Sequence, residues 1–558
     1  MESKFLKNNT FTGSSVPKLT KLFFPWSGIF RDACYTLIGT FLIQYAITSG
    51  VLSSDLEAFK SQYAVITIAM IIALLWDGIN DPIMGFILEK CHFKLGKFRP
   101  WIALGAIGNS ITVILMFLVP TLVGPNWGWG YVAFMIIMYI LWDLCFTMND
   151  IGYWSMLPAL TNDPKERSKL TAQTAIAATI GVFVMNILMF VLPGTFASFS
   201  TSGIYFVTGL IIALLFLITQ LAIFFVCKEK QRDKVQEDIS AKSSFLDLFR
   251  VIKQNKELLY SALGLLLYYF GSFILTGIGQ NYFYMVYGYG GNKGGMVATV
   301  ISVVFVLSTI AAQAFYPMLS KKYERKKILT ITGGVILLSY FAFFIVAFPI
   351  FGSKPLAYSD PNSGGMWFLG GTMFLYYLFA FLFFGGSGIY YLAVLVMFQD
   401  SIDYNEWKFG ERKESICFAW RPLDVKLASG LNRGLQYIVY AISGTSAYIN
   451  AISTAEGEYN AGYNLLVEAH NGIRSEITEA EIEALDQTRT AAIEEAGEKI
   501  TSSNKVVFGV IVIGTILVAF VASYILLRFR YKLDEKQMIS IVSDLEKNHK
   551  ADEEKSKI

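Results

Sequence analysis

The chain has 558 residues, of which 54% are hydrophobic, and a mean hydropathy of +0.49, which excludes a soluble globular protein of this size. A formal charge of +3 gives no reason to expect a nucleic-acid partner. Five scattered cysteines without a CxxC pair and three isolated histidines exclude a disulfide framework and a His-based metal or catalytic centre.

The first 20 residues are polar and contain lysines, without the short apolar core of a cleaved signal. From there apolar runs of bilayer length recur. They predict about twelve spans, at approximately 23–51, 63–90, 100–122, 128–158, 170–193, 203–227, 257–288, 295–319, 327–350, 365–399, 424–453 and 503–528. The fold class is therefore an all-α membrane protein. Basic loops follow the second span ("KCHFKLGKFR"), the fourth ("DPKERSK") and the eighth ("KKYERKK"), whereas "LVGPNW" and "PGTFASFSTSG" lack Lys and Arg. The positive-inside rule then puts the basic loops and both termini in the cytoplasm.

The expected organisation is a cytoplasmic segment 1–22, a six-helix half 23–227, a linker 228–256, a second six-helix half 257–528 and a tail 529–558. In the linker, Phe245, Leu248, Phe249 and Ile252 share a helical face, which suits a segment lying along the cytoplasmic surface. Between the eleventh and twelfth spans lies a polar, acidic outer insert, 454–502, within Asn450–Asn504. Its "SEITEAEIEALDQTRTAAIEEAGEKI" reads as a helix with Ser475 as N-cap and Thr478–Glu481 as a second possible start. It suits either an exposed hairpin or a lid or docking element.

Charges within spans are expensive and so point to function. In "LLWDGINDP" of the second span, Asp77, Asn80 and Asp81 fall at i, i+3 and i+4 and share one face. Such an oxygen patch asks for a small hard cation or protons, with Na⁺ the candidate metal at Asp77 and Asp81; ion pairs with Arg or Lys elsewhere are the alternative. In "CFTMNDIGYWS" of the fourth span, Asp150 has Thr147 one turn before it and Trp154 one turn after. A carboxylate beside an aromatic ring suits a sugar: the acid accepts hydroxyl hydrogen bonds and the ring covers an apolar sugar face. Trp154 also suits an interfacial belt. Arg31 and Asp32 in the first span face a cavity or snorkel from a helix end. In the eleventh span, Lys426 suits neutralisation of the first half's carboxylates; the alternative is that Arg421, Asp424 and Lys426 mark the cytoplasmic helix end.

With these residues in view, the chain resembles the glycoside–pentoside–hexuronide:cation symporters, the melibiose-carrier family of the major facilitator superfamily. The motifs are "WDGINDPIMG" running into "KLGKFRPWIALG", "YILWDLCFTMNDIGYWSMLPALTNDPKERSKL", and "QDSIDYNEWKFGERKESI" followed by Lys426. The resemblance covers nearly all of 23–528 and implies the major facilitator fold, with two six-helix halves. It implies cation-site roles for Asp77, Asn80, Asp81 and Thr147. It implies sugar-site roles for Asp32, Asp150 and Trp154, and places Arg31 and Lys426 at positions where the family carries basic residues. Asp400, Asp403 and Arg412 match a cytoplasmic gate closed by charge pairs. The chain departs from the pattern at the start of the fifth span, where Gln173 and Thr174 replace an arginine, and at Leu74, which replaces a basic residue. Arg421 is the expected source of the missing guanidinium. The outer insert is no part of the pattern.

The expected function is import of a glycoside or small oligosaccharide, coupled to Na⁺, H⁺ or Li⁺, by alternating access in a bacterial plasma membrane. The expected partners are that sugar, a monovalent cation and the lipid bilayer, with no cofactor and no enzymatic activity. The alternatives are a cation-coupled symporter for amphipathic lipids and a sensor that binds sugar without moving it.

Overall fold

The architecture comes from a computed structural model that describes residues 10–11, 16–90, 96–160, 164–193, 195, 199–227, 229–230, 245–410, 417, 420–471, 476–541 and 543–545. It is nearly all helical. In chain order the helices are α1 (Lys18–Trp26), α2 (Gly28–Gly39), α3 (Leu42–Thr48), α4 (Leu56–Lys90), α5 (Arg99–Val123), α6 (Trp129–Leu160), α7 (Pro164–Val191) and α8 (Thr201–Val226). Then come α9 (Phe245–Gln254), α10 (Lys256–Tyr287), α11 (Gly294–Lys322), α12 (Arg325–Ala347) and α13 (Met373–Phe409). The last four are α14 (Trp420–Ser443), α15 (Ser446–Ala469), α16 (Glu479–Glu498) and α17 (Ser502–Phe529). A two-residue parallel pairing joins β1 (Thr10–Phe11) to β2 (Glu229–Lys230).

Among the described residues, 9 helices are long and apolar enough to cross a membrane. The remaining three predicted spans fail that test for physical reasons. The first is cut into α1, α2 and α3, with Pro25 inside α1 and breaks at Ser27 and at Thr40–Phe41. The fifth retains only Ile176–Val191 as an apolar stretch, and α14 carries Arg421, Asp424, Lys426 and Arg433.

The chain divides into two compact units. Unit 1 takes Met1–Lys242, Gln280–Thr299 and Gly444–Ile500; unit 2 takes Ser243–Gly279, Val300–Ser443 and Thr501–Ile558. Unit 1 thus gathers the first six spans with one end of α10, the start of α11 and the insert helices α15 and α16.

Within unit 1 the helix that carries most of the candidate residues, α6, packs closely on α5. A Cβ at Gly105 would come within 2.6 Å of the Asn149 backbone nitrogen and 2.7 Å of the Cys145 carbonyl oxygen, so only glycine allows this approach. Asn149, fully buried, donates to the Ile102 carbonyl at 2.9 Å and to Gln220 at 3.3 Å, fixing the rotation of α6 about its axis. Tyr153 stacks on Phe24 at 4.6 Å and donates to the Phe24 carbonyl at 2.8 Å, tying α6 to α1.

Within unit 2, α9 buries Val251 and Ile252 in a cluster with Leu258, Phe398 and Ile402. The side chains of the linker's Phe245, Leu248 and Phe249 lie outside the described residues. The tail begins docked: Tyr531 is 1% exposed and donates to the Met397 carbonyl at 2.8 Å, and Lys532 donates its N–H to Glu257 at 2.8 Å.

Candidate functional site

The break between α1 and α2 sets Arg31 one turn into a new helix, and α2 turns its guanidinium inward. Arg31 is 1% exposed. It donates to Asp32 at 2.9 Å and to Asp150 on α6 at 2.7 Å. Its guanidinium lies 4.4 Å from the Tyr153 ring and 5.1 Å from the Trp154 ring. One buried cation therefore bridges two carboxylates and rests on two aromatic faces, a geometry that a planar delocalised guanidinium suits and an ammonium does not. The two carboxylates are less buried than the arginine, with side-chain exposures of 18% for Asp32 and 36% for Asp150. Carboxylate oxygens are acceptors for the hydroxyls of a polyhydroxylated ligand, and Trp154, 39% exposed, offers an apolar face.

One turn back along α6, Thr147 donates its hydroxyl to Asp77 on α4 at 3.3 Å. Asp77, Asn80 and Thr147 are 8%, 7% and 3% exposed. The amide nitrogen of Asn80 is buried without a hydrogen-bond partner among the described residues. Asp81, half-buried, has interaction partners of its own. Carboxylate, amide and hydroxyl oxygens from two helices are the donor set of a small hard cation. Among the described residues no group of three or more His, Cys, Asp and Glu gathers to hold a metal.

The other candidate residues lie in unit 2. Arg421 donates to the Tyr391 hydroxyl at 3.0 Å, and Tyr269 donates to the same oxygen at 3.2 Å. Tyr391 lines a cavity of about 140 Å³ together with Tyr268, Ser272, Tyr340 and Ser387. Ser387 is 7% exposed and its hydroxyl has no hydrogen-bond partner among the described residues. Asp424 is buried, and Lys426 is half-buried with interaction partners of its own. Asp400 forms an ion pair with Arg325, whose side chain also lies near Glu535. Asp403 has interaction partners, and Arg412 lies outside the described residues.

The structure thus brings Arg31, Asp32, Asp150 and Trp154 into one cluster and Asp77 with Thr147 into a second, both on α6. It places Arg421 with a tyrosine group in the other unit. At the fifth-span position, Thr174 is buried and donates its hydroxyl to the Leu170 carbonyl at 2.9 Å, and Arg31 supplies the guanidinium that meets both carboxylates. Sequence reasoning missed Tyr153, Tyr391 and Arg325. Tyr153 stands three residues from Asp150, so the same helical spacing that selected Trp154 could have found it. Arg325 was read only as part of a basic loop.

A family model described as MFS/sugar transport protein matches residues 57–466. The raffinose carrier protein of Pediococcus pentosaceus is 27% identical over 440 residues, covering 77% of this chain and 63% of the carrier. The lactose permease of Leuconostoc lactis is 27% identical over 443 residues, with the same two coverages, 77% and 63%. The isoprimeverose transporter of Lactiplantibacillus pentosus is 24% identical over 439 residues, covering 75% of this chain and 81% of that one. The chain thus spans 63% of the length of the first two of these relatives. Among solved structures, a bacterial homolog of the human lysosomal transporter Spinster superposes with a TM-score of 0.50 at 12% identity, covering 94% of this chain and 98% of that one. A peptide transporter gives 0.50 at 11% identity, covering 85% and 99%. These likenesses show the fold.

Proposed function

Since the chain belongs to the MFS/sugar transport protein family, we propose that it is a multi-pass membrane transporter that moves a glycoside or small oligosaccharide together with a monovalent cation. The observation that carries this reading is the shared helix. On α6, Asp150 holds the Arg31 cluster and Thr147, one turn away, holds Asp77. A sugar engaging Asp32, Asp150 and Trp154 and a cation engaging Asp77, Asn80, Asp81 and Thr147 then share one rigid element. Whatever rotation of α6 one ligand favours, the other meets.

The relatives named for raffinose, lactose and isoprimeverose support a di- or oligosaccharide as cargo. Arg31 neutralises two carboxylates that would otherwise repel each other in apolar surroundings, and a sugar hydroxyl is the kind of donor their oxygens accept. The oxygen set of Asp77, Asn80, Asp81 and Thr147 supports Na⁺, Li⁺ or H⁺ as the coupled cation. In unit 2, Asp400, which pairs with Arg325, and Asp403 belong to a gate at the basic end. That end, with both termini, faces the cytoplasm of a bacterial cell, as the loop charges support.

The test is uptake of labelled raffinose, lactose and isoprimeverose into right-side-out vesicles under an imposed Na⁺ or H⁺ gradient. Accumulation of one of them above equilibrium, abolished by Asp77→Asn, is the expected result. Binding without accumulation under any gradient replaces transport by sensing. Gradient-driven accumulation that survives Asp77→Asn removes the cation site.

A further inference from the structure

The insert ends in α16, whose first turn is closed by a capping box. Thr478 accepts from the Glu481 N–H, and Glu481 accepts from the Thr478 N–H at 2.8 Å. The helix carries Arg489 into a buried position, where its side chain is 2% exposed, against Glu456 of α15, which is fully buried. The two charges meet at 3.2 Å. Asp486 pairs with the same guanidinium, and the Tyr459 ring lies 4.4 Å from it.

Each charge also grips the connection that leads into α8. Arg489 donates to the Phe199 carbonyl at 3.3 Å, and Glu456 accepts the Thr201 backbone N–H at 2.8 Å. Tyr289, just beyond α10, donates to Glu456 at 2.9 Å and shares a hydrogen bond with the Thr201 hydroxyl at 2.8 Å. The same end of unit 1 is closed by direct backbone contact. Gly50, at φ +79°, lies so near Gly457 that a Cβ on it would come within 2.5 Å of the Gly457 Cα. A Cβ on Gly295 would meet the Phe190 carbonyl oxygen at 2.2 Å.

We propose that Glu456 and Arg489 form a latch, contributed by the insert, that holds this end of unit 1 shut by gripping the backbone of residues 199–201. The latch rests on the transport reading, in which this end faces outward and opens in each cycle. Its chemistry suits repeated release. The two charges keep each other when the backbone groups leave, so opening exposes no lone buried charge and breaks two charge-assisted hydrogen bonds to the backbone. Tyr289 stays with Glu456 and gives up Thr201. The insert is then neither a passive hairpin nor a docking arm but the element that sets how often the outer end opens.

The test reads opening directly and needs neither sugar nor gradient, so it stands or falls apart from the transport reading. Ser49, 1% exposed beside Gly50, is changed to cysteine in the full chain and labelled in right-side-out vesicles with a membrane-impermeant maleimide. The double variant Glu456→Gln with Arg489→Gln removes both charges together, and labelling is expected to rise about tenfold or more. Tyr289→Phe removes two hydrogen bonds and keeps the ring; a rise of about threefold is expected, and it decides the matter where the double variant fails to fold. Lys293→Gln breaks the exposed Lys293–Glu494 pair on the same insert helix and is expected to leave labelling unchanged. Labelling unchanged in the double variant and in Tyr289→Phe overturns the latch. So does an equal rise in Lys293→Gln, which makes the insert a general support. Sugar uptake that stays normal while labelling stays flat removes the latch alone.

Discussion

Arg31 is the residue on which the candidate sugar site turns. A lone guanidinium buried to this degree is costly, and two carboxylates this close to each other are costly without it. Each therefore holds the other in place. Arg31→Gln is expected to lower sugar affinity by about tenfold or more, because Asp32 and Asp150 lose a charge-assisted partner and their orientation. Arg31→Lys keeps the charge without the planar fork and should fall between the two. Isothermal titration with sugar on the purified variants checks the order. Cation binding, read in the same titrations, should keep at least its Asp77-dependent part, since Asp77 bonds Thr147 rather than Arg31. An unchanged sugar affinity in Arg31→Gln would move the sugar away from this cluster. Asp32, Asp150 and Trp154 were legible in the sequence, as charges and a ring at helical spacing. That Arg31 links them was not, because the bridge spans 119 residues and depends on how α2 is rotated.

At the scale of elements, the insert helix α16 is the clearest case of local sequence deciding local structure. Thr478 and Glu481 close the first turn as their spacing predicts, and the alternative start at Ser475 lies outside the described residues. Thr478→Ala is expected to weaken the helix start by about 1 kcal/mol, read as faster hydrogen exchange at residues near 479–485 while α15 stays protected. The backbone and hydroxyl hydrogen bonds of Thr478, with a further one from His470, lower the Glu481 carboxyl from its ordinary 4.5 to about 2. The folded value lies below the unfolded one, so this contribution is present above about pH 4.5 and is lost as pH falls towards 2. Exchange at α16 should therefore be the same at pH 7 and pH 5.5, after correction for intrinsic rates, and should rise only below about 4.5. The first span shows the opposite case. Its apolar length predicts one helix, yet it is divided at Ser27, after Pro25, and at Thr40–Phe41.

For the whole molecule, the proposed mechanism demands reciprocity. If cation and sugar share α6, each raises the other's affinity by the same factor, about 5- to 150-fold for a coupling of ~1–3 kcal/mol. Titrating sugar with and without saturating Na⁺ or Li⁺, and the cation with and without saturating sugar, should return one number. Thr147→Ala should shrink that factor while leaving sugar affinity in the absence of cation nearly unchanged, because it cuts the link to Asp77 and not the Arg31 cluster. Two unequal factors, or a factor of one in the native chain, would separate the two sites.

By itself, the sequence determined the membrane-spanning class, the apolar helices, the basic and uncharged loop ends, the helix cap of the insert and the identity of the charges placed in the spans. These follow from composition and short spacing, which act over a turn or two of chain. Only the tertiary structure decided that Arg31 joins Asp32 to Asp150, that Asp400 pairs with Arg325, that Arg421 meets Tyr391, and that Arg489 reaches Glu456. Each of these partners is chosen by helix rotation and by glycine-limited backbone approach, as at Gly105 and Gly50, and such contacts leave no periodicity to read in the chain.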